Sequence, residues 1–63
     1  MEEFIGKKVF MRVRVDNATL IFTATITSIT ESRVNFTDKF GEKYSYRLDD
    51  VIEIKEEADD GKQ

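Results

Sequence analysis

Apolar and polar residues alternate almost without a break from Lys7 to Lys55, and a two-residue period places successive side chains on opposite faces of a strand. No stretch carries the 3.6-residue apolar period of an amphipathic helix, so helix is limited to about one turn, expected near residues 2–5. No proline interrupts the alternating runs. Short polar connections divide them into five segments, the pattern of consecutive antiparallel strands that curl into a small closed β-barrel.

The first strand is expected over residues 7–15, with Val9, Met11, Val13 and Val15 inward and Phe10, Arg12 and Arg14 outward. Asp16-Asn17-Ala18 is a polar turn, with Asn17 suited to a left-handed backbone. The second strand spans residues 19–30. Leu20, Phe22, Ala24 and Ile26 share its inner face, and Ile29 then breaks the phase, which predicts a bulge or bend near Ser28. Small Ala24 eases the curvature. A third strand over residues 33–37 turns Val34 and Phe36 inward, and Asp38-Lys39-Phe40-Gly41-Glu42 has the length and glycine of a hairpin loop. Tyr44, Tyr46 and Leu48 alternate with Lys43, Ser45 and Arg47 in the fourth strand. Asp49-Asp50 marks a tight turn before the fifth, residues 51–54. The expected core is Val13, Phe22, Ile26, Val34, Phe36 and one of Ile52 or Ile54.

A chain of 63 residues forms one domain whose core supplies only about 3–5 kcal/mol of net stability, so packing quality or a partner subunit matters. With no Cys and no His, neither disulfides nor an ordinary zinc site can staple it, and no metal or cofactor is expected. Residues 1–55 carry nine Lys or Arg against nine Asp or Glu, so the net charge of −3 resides in residues 56–63. That segment has no apolar residue larger than Ala58 and contains Gly61. It reads as a disordered acidic tail behind a single domain of residues 1–55. The N-terminal segment lacks the basic and apolar regions of a secretory signal, so a cytoplasmic location is expected, with no membrane association. The sequons at Asn17 and Asn35 are then turn and strand residues rather than glycan acceptors.

Five strands with a long bent second strand and a one-turn link before the last resemble the SH3-like barrels, and among these the Sm-like proteins. The likeness covers Val9 to Ile54. Leu20-Ile21-Phe22-Thr23-Ala24-Thr25-Ile26, then Ile29-Thr30 and Val34-Asn35-Phe36-Thr37-Asp38, keep the apolar pattern of the first Sm-like motif, and Tyr46-Arg47-Leu48-Asp49-Asp50-Val51 echoes the second. Ala24 and Leu48 stand where that family has glycine, and Thr30 where it commonly has Asp. The resemblance implies an open-edged barrel that assembles into rings, with Thr30, Ser32, Asn35 and Arg47 as the counterparts of uridine-binding positions.

Basic Lys7, Lys8, Arg12 and Arg14 with Phe10 among them form a stripe suited to single-stranded nucleic acid, with Arg12 and Arg14 as its candidate contacts. The plainer reading has them facing water and pairing across strands with residues such as Glu53. Asp49 and Asp50 read as turn residues, because no nucleophile or base completes a catalytic set around them. Phe4, Ile5, Phe10 and Phe40 are not claimed by the inward faces and are candidate interface residues, although Phe4 and Ile5 can instead cap one end of the barrel. The functional expectation is a non-enzymatic binding module, a protein-interaction adaptor or regulator that self-associates through edge strands and takes no small-molecule substrate. Two alternatives stand beside it: an RNA or single-stranded nucleic-acid binder, and a protein whose acidic tail acts as a decoy for a nucleic-acid-binding surface.

Overall fold

In a computed structural model describing residues 2–57, five antiparallel strands form one sheet in the order β4-β3-β2-β1-β5. They are β1 (Lys8–Val15), β2 (Ala18–Ile29), β3 (Arg33–Asp38), β4 (Lys43–Arg47) and β5 (Val51–Glu56). A 3-10 turn, Glu2–Phe4, precedes β1, and a second, Leu48–Asp50, links β4 to β5. β4 and β5 are the two edges, and no ladder joins them. The expected closed barrel is therefore replaced by an open sheet, because β4 is only five residues long and pairs with β3 alone. Of the acidic segment, Glu56 ends β5 and the Glu57 N–H donates to the Lys8 carbonyl at 3.1 Å. The rest of the expected tail, residues 58–63, lies outside the described residues.

Alternation builds the core. Val9, Met11 and Val13 of β1, Ala24 and Ile26 of β2, and Val34 and Phe36 of β3 are fully buried, and they form one cluster. In β2 the ladder to β3 slips between Ile26 and Ser28, so Thr27 is the extra residue. The slip keeps Ile29, opposite Val34, on the inner face despite the odd spacing from Ile26. A second slip lies between β1 and β5, where Val13 pairs with Val51 and Arg12 with Glu53. Ile52 is the residue skipped. It is 49 % exposed, whereas Ile54 packs on the core, so Ile54 is the core isoleucine of β5. Phe22 is half-buried rather than enclosed. It joins Phe36, Tyr44 and Tyr46 in a four-ring cluster, with centroids 5.0 Å from Phe36 in an edge-on contact and 4.9 Å from Tyr44. Through these rings β2 touches β4 across β3, which curls the sheet around its inner face.

The connections are determined locally. Asp16, not Asn17, holds the left-handed backbone of the β1–β2 turn, at φ 56°. Asp38 closes the β3–β4 hairpin by accepting the N–H groups of Phe40 and Glu42 on Oδ1, both at 2.9 Å. Gly41 supplies the φ of +88° that the loop needs. Phe4 is half-buried against the core, so the Glu2–Phe4 turn covers one end of the sheet.

Candidate interaction surfaces

The two edges present different backbone groups. The Asp38 N–H donates to the Glu42 carbonyl at 2.9 Å, and the Leu48 N–H to the Ser32 carbonyl at 2.8 Å. Bonded pairs recur every second residue along an antiparallel ladder, so Phe36 with Tyr44 and Val34 with Tyr46 are the bonded pairs between these two. Lys43, Ser45 and Arg47 consequently turn their N–H and C=O groups away from β3. The same argument, started from the Glu57-to-Lys8 bond, turns Ile54 and Glu56 outward along β5.

Charge separates along the same lines. On β1 to β4 the outer face carries Lys8, Arg12, Arg14, Arg33, Lys43 and Arg47, while the single carboxylate in these strands, Asp38, is engaged in the hairpin. The other carboxylates among the described residues lie in turns, in connections, and in β5 or directly after it. Arg12 meets Glu53 at 3.4 Å and Lys7 meets Glu56 at 3.5 Å, so the expected pairing of the β1 stripe with β5 is present at Arg12. Such exposed pairs contribute little energy. Arg14 has no ion-pair partner among the described residues and borders a recess with Asp16, Tyr46 and Asp50.

The four candidate nucleic-acid contacts fall into two groups. Asn35 and Arg47 sit together on the β3–β4 outer face, where Asn35 opposes Ser45 and Arg47 opposes Arg33. Arg12 and Arg14 lie on β1, with β2 between. Thr30 and Ser32, the remaining counterparts drawn from the resemblance, belong to the β2–β3 connection. There the Thr30 hydroxyl accepts the N–H groups of Ser32 at 3.3 Å and Arg33 at 3.0 Å, closing the turn. Asn35 Nδ2 donates to Ser28 Oγ at 2.9 Å.

Arg33, Lys43 and Ser45 were not singled out from the sequence. With Thr27, Asn35 and Thr37, Lys43 and Ser45 line a groove of about 430 Å³ over the outer face of β2 to β4. Arg33 donates from Nε to Ser45 Oγ at 2.9 Å and from Nη2 to the Ser45 carbonyl at 3.2 Å. Their shared outer-face phase is visible in the alternation, but the diagonal contact requires the β3–β4 register.

Among the interface candidates, Phe40 is 77 % exposed at the hairpin, and Ile5 and Phe10 are also exposed. Ile21 adds to them, since it lies on the outer face with Phe10 beside a recess that Arg12, Glu53 and Lys55 complete. Lys39 Nζ stands 5.3 Å from the Phe40 ring centroid.

Two side chains of the β3–β4 hairpin have displaced titrations. Partial burial pushes the Asp38 carboxyl up, but the Glu42 and Phe40 N–H groups and the Tyr44 hydroxyl, which donates to Oδ2 at 3.2 Å, outweigh it and hold the group below its ordinary range. Burial, followed by the adjacent Asp38 carboxylate, raises the Tyr44 phenol. Both shifts belong to the hairpin. Among the described residues no group of three or more Asp or Glu converges to hold a metal ion, and no helix is long and apolar enough to cross a membrane.

Compared with protein-family models, curated proteins and solved structures, the chain matches none of them.

Proposed function

We propose that the chain is a non-catalytic binding module, an adaptor or regulator built on an SH3-like, Sm-like scaffold, that self-associates through its edge strands. The observation that carries this reading is the pair of edges, neither paired with a further strand among the described residues. Lys43, Ser45 and Arg47 on β4, and Ile54 and Glu56 on β5, aim backbone donors and acceptors away from the sheet. Such edges are templates for strand addition. A core of seven fully buried residues among those described gives the chain a further reason to bury surface in a neighbour. Charge agrees, because β4 offers Lys43 and Arg47 while β5 offers Glu53 and Glu56 against Lys55. Joining unlike edges gives a head-to-tail contact that must close into a ring to avoid polymerising. The long bulged β2 and the single 3-10 turn before β5 support the scaffold assignment. Hydrogen exchange measured at rising protein concentration tests the reading. The amides of Ser45, Arg47, Ile54 and Glu56 should slow with concentration, and unchanged rates at both edges would refute it.

A second reading, single-stranded nucleic-acid binding, is favoured by the outer face of β1 to β4, where Lys8, Arg14, Arg33 and Lys43 have no ion pair among the described residues and Phe10 is exposed. If about four phosphates are neutralised, affinity for labelled oligouridine should fall with a log–log salt slope near −3. A salt-independent signal would exclude this mode.

A further inference from the structure

We propose that Arg33 makes the β4 edge selective for an extended acidic strand of a partner protein, one that competes with a second copy for that edge and carries a carboxylate on its outer face level with Ser45. The inference rests on the reading of the edges as binding surfaces and adds the chemistry that chooses the occupant.

Ser45 is the middle of the three outward-facing positions of β4, so its carbonyl is central to any ladder formed there. The Arg33 guanidinium already holds that carbonyl at 3.2 Å and the Ser45 hydroxyl at 2.9 Å. A strand that adds to β4 brings its own N–H to the same carbonyl, where it competes with the guanidinium. Without a further acceptor, Arg33 has its bond to that carbonyl weakened and loses part of its hydration as the strand covers it. A carboxylate on the incoming strand compensates both, in the two-pronged geometry to which guanidinium and carboxylate are matched, and with opposite charge.

The neighbours favour the same occupant. Lys43 and Arg47 flank Ser45 at two-residue spacing on the outer face, the spacing of alternate side chains in a strand. Lys43 has no ion pair among the described residues, and Arg47 has only exposed Asp49, at 3.5 Å. Three cations thus border the slot, and Glu42 and Asp49, the carboxylates nearest to β4 in sequence, lie beyond its ends. Neutral strands, the usual agents of unwanted edge pairing, are disfavoured by the same device.

The test uses the full chain and two labelled seven-residue peptides, Thr-Glu-Val-Glu-Val-Glu-Thr and its counterpart with glutamine at each glutamate. Both are titrated by fluorescence anisotropy at low salt against the wild type, Arg33→Gln and Ser45→Ala. Both substituted positions are exposed, and circular dichroism confirms that each variant is folded. The wild type should bind the acidic peptide about tenfold more tightly than the neutral one. Arg33→Gln should reduce that preference to about threefold or less. Ser45→Ala, which frees Arg33 from the hydroxyl but keeps its charge, should preserve it. The proposal is overturned by equal affinities in the wild type, by no acidic-peptide binding up to about 1 mM, or by a preference that survives Arg33→Gln. An equal gain for both peptides in Arg33→Gln overturns it too, because Arg33 would then merely block the edge. Sedimentation of the same samples separates the two readings: a monomer that discriminates between the peptides retains selectivity without self-association, and an oligomer that ignores both retains the reverse.

Discussion

Phe36 is the largest fully buried side chain, and its ring also contacts Phe22, Tyr44 and Tyr46. Truncation to Ala removes burial and three ring contacts, a loss of about 3–5 kcal/mol in a domain whose whole stability is of that order. Phe36→Ala should therefore be unfolded by circular dichroism at room temperature, and a cooperative thermal transition would show that the core is elsewhere. Phe22→Ala is expected to cost less, since that ring is only half-buried. Alternation alone ranked the two equally. It could not show that Phe22 lies where the curled sheet leaves the ring cluster open on one side. Asp38 gives the residue-scale pH dependence. Its folded pKa lies below the unfolded value, so the stabilisation it provides is complete above the ordinary carboxylate range and is lost as pH falls through the depressed folded value. Asp38→Asn keeps an acceptor for Phe40 and Glu42 but removes the charge. Between pH 6 and pH 3 the wild-type Tm should consequently fall further than that of Asp38→Asn, and parallel curves would remove Asp38 from the account.

At the scale of elements, β4 carries the sharpest prediction. Arg47 already has φ −70° and ψ 141°, and its N–H faces away from β3, so proline fits there without breaking the ladder. Arg47→Pro should leave stability within about 1 kcal/mol of wild type in urea titration. It should also weaken self-association by removing an edge donor and a cation. An unfolded variant would contradict the register, and undiminished association would move the interface away from β4. The strands and the β2 bulge were legible because Ile26 and Ile29 cannot share a face at an uninterrupted two-residue period. The β5 slip was not, since Val51, Ile52 and Ile54 are all apolar and either phase buries an isoleucine. The edges were legible only as a class. Alternation predicts strands but says nothing about whether the first and last close upon each other, and the Arg33 contact with Ser45 depends on a cross-strand diagonal that no one-dimensional pattern contains.

For the whole molecule, β4 and β5 are the two edges of the sheet, neither paired with a further strand among the described residues, and the core between them holds seven fully buried residues among those described. These facts lead to the same expectation as the charges on β4 and β5: the chain gains stability and function by lending its edges to other strands. Sedimentation equilibrium across a hundredfold concentration range at near-physiological salt measures this most directly. Edge pairing should give a species whose mass is a defined multiple of the 7.3 kDa chain, dissociating on dilution, with Arg47→Pro shifted toward the monomer. A mass of 7.3 kDa at every concentration would contradict it.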